Sequence, residues 1–278
     1  MSFDINSIRH PKEKTYGPVT LIVGALLWLG LVAMVAFEEQ PLVAALVFVL
    51  YGLMIWGVSA AVRALTRAYM FGHFVMVGPD QFPRIHAMVE EGARKLGLDE
   101  APTTFVYNSS GVMNAFALRL IGKRRYVWLT SALIDADNEE QLRFVIGHEL
   151  GHHVAGHLEQ ATGLLRWPAM IVPFLGPAYS RSRELTCDRV GAFLVRDLTV
   201  SRTALQMLAC GSAKLNAQMN GAAFAAQEAL VPPIAGFLLL IVSGYPRLTQ
   251  RVDAVARWLE SQSRLQSDHE NRSVAAAA

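Results

Sequence analysis

Cysteine and charge are both scarce in this sequence. Only Cys187 and Cys210 occur among 278 residues, which argues against a disulfide framework and fits a reducing compartment. Charged residues make up 17% of the chain, the net charge is +2, and no long basic block is present. The sequence therefore lacks the electrostatic footprint of a nucleic-acid-binding protein, and we expect no nucleic acid among its partners.

Hydrophobic residues are abundant instead. They account for 53% of the chain, too large a share for an ordinary soluble protein. Two uncharged runs, residues 19–37 and 42–62, are each long enough to cross the roughly 30 Å hydrocarbon core of a bilayer. Since only a short polar turn separates them, they predict a transmembrane helical hairpin over residues 19–63. The first run is longer than the apolar core of a signal peptide and lacks a clear cleavage site, which argues against a cleaved leader.

The charges that flank the hairpin predict its orientation. Basic residues precede the first run and follow the second, and none lies in the turn: Arg9, Lys12, Lys14, Arg63 and Arg67. Because positively charged flanks are retained in the cytoplasm, we expect the N-terminal segment, residues 1–18, and everything after the hairpin to face the cytoplasm. In a bacterium this would be a multi-pass protein of the inner membrane.

The rest of the chain predicts helices and a few short strands. Apolar residues at helical spacing predict an amphipathic helix at 82–96, while β-branched and aromatic alternation predicts strands at 103–107 and 126–130. Further expected elements are an edge strand around 112–118, helices at 137–159, 182–198 and 248–259, and a disordered tail at 261–278. Two apolar stretches, 164–178 and 230–243, contain prolines and are too short for full spans. We expect an interfacial or buried turn in the first, and the relation of the second to the membrane stays open.

The central predicted helix contains the sequence Gly-His-Glu-Leu-Gly-His, which has the residues of a metal-dependent catalytic site. Each helical residue turns the side chain by about 100°, so His148, Glu149 and His152 share roughly a quarter of the circumference. Two imidazoles on one face can bind one metal ion, and the carboxylate between them can reach a water on that ion. This is the general-base geometry of a zinc hydrolase.

Glycine is frequent in the same helix. Gly147, Gly151 and Gly156 each cost about 1 kcal/mol of helix stability relative to alanine. We therefore expect another element to approach this helix closely. His153 and His157 point about 140° and 180° away from His148 around a continuous helix, so we expect both to be structural or solvent-facing.

Catalytic zinc usually takes a third protein ligand and leaves one position for water. The candidates after the two histidines are Glu159, Glu184, Cys187, Asp188 and Glu228. Glu184 and Asp188 lie four residues apart on one helical face, so one could bind the metal while the other accepts a hydrogen bond from a ligating imidazole. Spacing alone does not show which residue has which role. It also leaves open the alternative that both carboxylates pair with surface arginines.

Four ordered segments together resemble one family. They are His148-Glu149-Leu150-Gly151-His152 with His157, then Ser180-Arg181-x-x-Glu184-x-x-Cys187-Asp188, Asn114-Ala115-Phe116-Ala117 upstream, and Tyr245-Pro246 with Arg251-Val252 near the end. This set is similar to the signature of the HtpX-type membrane zinc endopeptidases, relatives of the CAAX prenyl proteases. The similarity extends over roughly residues 82–259.

The resemblance implies a mainly α (α+β) fold, in which the hairpin precedes a zincin-like helical catalytic domain, residues 64–260, with a small antiparallel sheet. It also implies that zinc is the cofactor and that its ligands are His148, His152 and Glu184. Glu149 would be the base and proton shuttle, and Asp188 would hold a ligating histidine. The cleft edge, where an extended substrate adds as a strand, would be formed by Asn114, Ala115, Phe116 and Ala117.

Two positions depart from the family pattern. Tyr245 stands where the family has a histidine before proline; its phenol could donate the same hydrogen bond to an oxyanion, or the role could be absent. Cys187 stands where alanine is usual, either as a small buried residue or as a fourth ligand.

We expect an integral membrane zinc metalloendopeptidase that acts on protein or peptide substrates. Membrane-protein quality control is favoured over CAAX-type processing, because a two-span anchor leaves no obvious large chamber within the membrane. A non-catalytic zinc-binding scaffold would have no use for Glu149 beside the metal. A secreted soluble zincin is a further alternative, and it would have to be soluble without detergent.

Overall fold

A computed structural model describes residues 3–120 and 124–277, and these ranges are mostly helical, as predicted. Residues 1–2 of the predicted N-terminal segment and residue 278 of the predicted tail lie outside them. The helices are α1 (Ile5–Ile8), α2 (Pro11–Ala36), α3 (Pro41–His73), α4 (Pro83–Lys95), α5 (Ser131–Ala136), α6 (Glu139–Val154), α7 (Gln160–Ile171), α8 (Leu175–Val195), α9 (Leu198–Cys210), α10 (Ala213–Asn216), α11 (Gly221–Ala226), α12 (Pro233–Val242) and α13 (Leu248–Ala277), with a 3-10 turn at Gln227–Leu230. The strands are β1 (Val75–Met76), β2 (Thr103–Tyr107), β3 (Ala115–Leu118) and β4 (Tyr126–Thr130).

Two helices, α2 and α3, are long and apolar enough to cross a membrane. Both extend beyond the predicted hairpin, since α2 already begins at Pro11 and α3 continues to His73. Each begins with a proline in its first turn, where the missing N–H has no helical partner to lose. The predicted boundaries followed the apolar residues alone, whereas the helices continue into their polar flanks.

Helix α2, the first candidate membrane span, packs against α7. A Cβ added to Gly24 would lie 2.3 Å from the carbonyl oxygen of Leu165, so the two backbones are in direct contact. The rings of Trp28 and Trp167 are 6.3 Å apart, one on each helix. Helix α7 therefore lies beside the apolar part of α2, where the sequence predicted an interfacial or buried turn.

Pro168 explains why this segment was misjudged. A proline inside a helix removes the hydrogen bond to the carbonyl four residues earlier, which is that of Leu164. In the structure the indole Nε1–H of Trp28 donates to this carbonyl at 3.0 Å. A side chain from a distant helix thus supplies the lost donor, and α7 remains helical through Pro168.

The small sheet has the strand order β1-β2-β4-β3. Strand β4 pairs antiparallel with β3 but parallel with β2. The sheet is therefore mixed, whereas the expectation of an antiparallel sheet was wrong. The reason is the chain path: the chain runs from β2 to the outer position of β3 and returns between them as β4. The sheet therefore ends at β3, an edge strand beside α6.

Helices α6 and α8 cross in backbone contact at the centre of the domain. A Cβ on Gly147 would lie 2.9 Å from the Cα of Gly191, and one on Gly151 would lie 3.1 Å from the Cα of Cys187. Only glycine permits this approach without displacing a neighbour. The close neighbour expected from the glycines is therefore α8.

The ends of α6 differ from the prediction. The predicted helix began at residue 137, with Asp137 as a possible N-cap, but the observed N-cap is Asn138. Its side chain accepts from the Gln141 backbone N–H at 2.9 Å, and the Gln141 side chain accepts from the Asn138 N–H at 3.0 Å. Asparagine and aspartate are equally good N-cap residues, so residue type could not show which of these two neighbours caps the helix. The helix stops at Val154, before the predicted end at residue 159, because Gly156 adopts a left-handed φ of 75°.

The C-terminal helix is longer than expected. Disorder was predicted from residue 261 onwards, but α13 continues to Ala277. The polar composition favoured disorder, yet the glutamine, arginine, glutamate and alanine residues of this stretch are good helix formers. The first turns of α13 bury Val252 and Val255 in the core, and a helix nucleated in this way extends readily.

Candidate metal centre

Helices α6 and α8 bring two imidazoles and one carboxylate together. His148 Nε2 lies 3.3 Å from Glu184 Oε2, and His152 Nε2 lies 3.6 Å from Glu184 Oε1. All three residues line a cleft of about 210 Å³ that also contains Glu149 and Tyr245. Two imidazole nitrogens and one carboxylate form a three-ligand set that suits a catalytic zinc ion.

Cys187 offers a competing third ligand. Ligand atoms of His148, His152 and Cys187 lie within 4.8 Å of one another. However, Cys187 is completely buried, it is absent from the cleft lining, and burial with nearby carboxylates raises the pKa of its thiol well above the usual value. Glu184 lies beside both imidazoles and lines the cleft, and on these two grounds it is the better candidate for the third ligand.

A buried carboxylate holds the second nitrogen of His148. His148 Nδ1 lies 2.9 Å from Asp188 Oδ1, and Arg251 donates to Asp188 from Nε at 2.8 Å and from its terminal nitrogen at 2.6 Å. Such a carboxylate fixes the tautomer so that Nε2 is free to bind a metal. Arg251 belongs to a segment singled out by the sequence, but spacing gave it no role.

The charges at the centre keep both carboxylates ionised. Burial opposes ionisation, but the Arg251 guanidinium lowers the pKa of Asp188 to about 2. Burial likewise opposes ionisation of Glu184, but the two imidazoles beside it lower its pKa to about 2. For His148, burial disfavours the imidazolium, yet hydrogen bonds to Asp188 and Glu184 outweigh it and raise the pKa to about 10. The ionised Glu184 therefore favours a positively charged species, a proton or a metal ion, at Nε2 of His148.

The second nitrogen of His152 has a partner that the sequence did not reveal. His152 Nδ1 lies 3.1 Å from His157 Nδ1, and His157 Nε2 lies 3.0 Å from Glu13 Oε1. Burial lowers the pKa of His157, and the hydrogen bond to Glu13 opposes this in part. His157 is buried and reaches His152 because α6 ends before it, whereas the expected direction assumed a continuous helix. No spacing rule links residue 13 with residue 157, so Glu13 was missed.

Glu149 lies in the same cleft, beside the edge of the sheet. Burial raises the pKa of its carboxyl to about 7, while the imidazole of His148 and the backbone N–H of Ala117 lower it in part. The predicted substrate-binding residues Asn114, Ala115, Phe116 and Ala117 all line this cleft. Tyr245 lies on the wall of the cleft with 65% of its surface exposed.

His153 has a different environment from the other histidines of α6. It is buried, its Nε2 lies 3.0 Å from the backbone oxygen of Tyr126, and burial lowers its pKa to about 4. This neutral ring links α6 to the start of β4. It has the structural role that its direction on the helix predicted.

Comparison with known proteins identifies part of the chain. Residues 79–171 match the model of peptidase family M48. Over 169 residues, 56% of this chain, the sequence is 32% identical to the plastoglobule-localized metallopeptidase 48 of Arabidopsis thaliana, and this covers 48% of that protein. Over 98 residues, 34% of this chain, it is 36% identical to the protease HtpX homolog of Thermoplasma volcanium, and this covers 30% of the relative.

The fold has a solved counterpart as well. The crystal structure of S. mikatae Ste24p matches with a TM-score of 0.50 at 13% identity, over 88% of this chain and 67% of that chain. The chain spans about half or less of the curated relatives it matches. The family match includes His148, Glu149 and His152 but ends before Glu184. Residues 79–171 thus match peptidase family M48, in a chain that resembles HtpX-type proteases in sequence and Ste24p in fold.

Proposed function

We propose that this protein is an integral membrane zinc metalloendopeptidase that hydrolyses peptide bonds in protein substrates. The observation that carries the proposal is the convergence of His148, His152 and Glu184 on one cleft that also contains Glu149. A scaffold that bound zinc only for structure would fill all four positions with protein ligands and would not need this carboxylate. The proposed catalytic unit comprises residues 64–260.

The chain's own residues have distinct tasks in this mechanism. Zinc, when bound, would polarise the scissile carbonyl and acidify a water molecule. Glu149 takes the proton of that water and later passes it to the leaving amine, a double role that suits a carboxyl whose pKa is raised to about 7. Tyr245, on the wall of the cleft, donates its phenolic hydrogen to the developing oxyanion.

Substrate binding follows from the position of β3. Among the described residues this strand pairs with β4 alone, and its residues line the cleft. An exposed edge can accept an extended peptide as an additional strand through main-chain hydrogen bonds. Binding of this kind depends little on substrate sequence, which suits the quality control of damaged membrane proteins better than the processing of one carboxyl-terminal motif.

Removal of the metal tests the enzymatic proposal. Purified protein in detergent is expected to cleave casein, and treatment with a zinc chelator should lower the rate by roughly 100-fold or more, since the metal supplies both the acidified water and the carbonyl polarisation. Added zinc should restore the rate. Undiminished cleavage by protein shown to be metal-free would contradict the proposal, and a prenylated CAAX peptide cleaved in preference to casein would favour the processing alternative.

We propose that α7 and α12 also lie in the bilayer, on the cytoplasmic side. Helix α7 packs on the apolar part of α2, and the rings of Phe174 and Phe237 lie 6.2 Å apart, which brings α12 beside the end of α7. The side chains of α12 are exposed although strongly apolar: Ile234 is 79% and Val242 75% exposed. Lipid accounts for such a surface. Tyr245 follows α12 closely, so the cleft would open near the membrane surface.

Cysteine labelling tests this placement. In a chain without its native cysteines, a membrane-impermeant maleimide should label Glu39→Cys, in the α2–α3 turn, on intact cells. It should label Ser263→Cys only after the membrane is opened, because α13 faces the cytoplasm. Leu164→Cys and Ile234→Cys should react only in detergent. Labelling of these two at the rate of Ser263→Cys in opened membranes would contradict their burial in lipid.

A further inference from the structure

A line of buried side chains joins the N-terminal segment to the proposed zinc ligand His152. His152 Nδ1 lies 3.1 Å from His157 Nδ1, and His157 Nε2 lies 3.0 Å from Glu13 Oε1. Glu13 is 2% exposed and forms an ion pair with Arg9. The line therefore runs from a residue that precedes the apolar part of α2 to the centre of the cleft.

The protonation of this line follows from its geometry. A carboxylate only accepts hydrogen bonds, so the ring nitrogen of His157 that faces Glu13 must carry the proton. In a neutral imidazole the other nitrogen is then an acceptor, and its nearer partner is His152 Nδ1 at 3.1 Å, while Cys187 Sγ lies 3.6 Å away. His152 Nδ1 must therefore be protonated, which leaves its Nε2 lone pair free on the cleft side, where Glu184 lies. Each proton is determined by the previous one, starting from Glu13.

The N-terminal segment is fixed by further contacts with the same helices. Arg9 donates to the carbonyl oxygen of Ala155 at 3.1 Å, and the backbone N–H of His10 donates to Thr186 Oγ1 at 3.0 Å. Arg189, on α8, donates to the carbonyl oxygen of Ile8 at 3.2 Å. These bonds hold Glu13 against the site from both α6 and α8.

We propose that Glu13 and His157 are positioning residues that set the tautomer and orientation of His152 for zinc, so that the N-terminal segment, residues 1–18, completes the metal site. The inference rests on the proposed function, because it presupposes that His152 binds zinc through Nε2. His148 receives the equivalent support from Asp188 within the catalytic unit. For His152 the supporting carboxylate, Glu13, lies outside that unit and acts through His157.

The test is a zinc affinity measurement on the full-length protein in detergent, by competition with a chromophoric chelator. Loss of an outer partner of a ligating histidine typically weakens metal binding by 10–100-fold. We expect a loss of this size for His157→Ala and for Glu13→Gln, whose amide can donate to the His157 ring and so favour the wrong tautomer. His157→Asn should bind within a few-fold of wild type, because its amide oxygen can replace the Nδ1 acceptor.

Two matched variants separate positioning from general destabilisation. His153→Ala removes a buried histidine of the same helix that contacts Tyr126, and Lys14→Ala removes an exposed side chain of the same segment. Thermal unfolding of each zinc-free protein shows any loss of stability, while zinc affinity should stay near wild type in both.

The failures of the two proposals are distinguishable. Wild-type protein that binds no zinc would refute the proposed function and this inference with it. If wild type binds zinc but Glu13→Gln and His157→Ala bind it within two-fold of wild type, only the positioning role is refuted. His157→Asn that binds as weakly as His157→Ala would also refute it, because the acceptor nitrogen would then not matter.

Discussion

Replacement of Glu149 by glutamine is expected to abolish proteolysis and to leave zinc bound. Glutamine keeps the size of the side chain but cannot accept the proton of the attacking water. General-base catalysis contributes about 10²–10⁴-fold, so the rate of casein cleavage should fall by at least 100-fold. Because Glu149 is not among the proposed ligands, the metal content of the purified variant should equal that of wild type.

A neighbouring carboxylate provides the control. Glu140 is exposed on the first turn of α6, where it forms an ion pair with Arg143. Glu140→Gln should retain the wild-type rate, since a surface pair of this kind contributes little. Glu149→Gln that still cleaved casein at the wild-type rate would exclude Glu149 as the base and would require another proton acceptor in the cleft.

Replacement of Glu184 by alanine is expected to remove the metal. Two imidazoles alone are an incomplete set for catalytic zinc, so affinity should fall by more than the roughly 10–100-fold typical of a lost outer partner. Equilibrium zinc binding and the metal content after dialysis measure this loss. Proteolysis should disappear together with the metal.

Cys187 provides the matched variant for this experiment. It lies on the same helix and within reach of the same histidines. Cys187→Ala should keep its zinc and its activity, because the proposed site uses the carboxylate on the cleft side. If zinc were lost in Cys187→Ala and kept in Glu184→Ala, the metal would bind on the buried side of the histidines, and the proposed catalytic site would be wrong.

The sequence predicted those parts of the site that depend on local geometry. The shared face of His148, Glu149 and His152 follows from helical rotation, and the pairing of Glu184 with Asp188 from a spacing of four residues. Spacing could not assign the last two their roles. In the structure Asp188 faces Nδ1 of His148 whereas Glu184 faces Nε2, a distinction that depends on how α8 packs across α6.

The features that were missed all depend on contacts between distant residues. Glu13 forms a hydrogen bond with His157 because the N-terminal segment packs against the end of α6 and because Gly156 ends that helix. Helix α7 continues through Pro168, and the hydrogen-bond donor that the proline lacks is supplied by Trp28 of α2. Neither compensation leaves a local pattern in the sequence. The sequence therefore predicts that the two proline-broken apolar stretches are too short for full spans, but it could not predict which elements they contact.

The central claim is that zinc binds between His148, His152 and Glu184. X-ray absorption at the zinc edge of the wild-type protein tests it most directly, because zinc–nitrogen or zinc–oxygen bonds of about 2.0–2.2 Å differ clearly from zinc–sulfur bonds of about 2.3 Å. We predict a shell of nitrogen and oxygen atoms only, with the scattering pattern of two imidazoles. A sulfur neighbour, which could come from Cys187, would contradict the account.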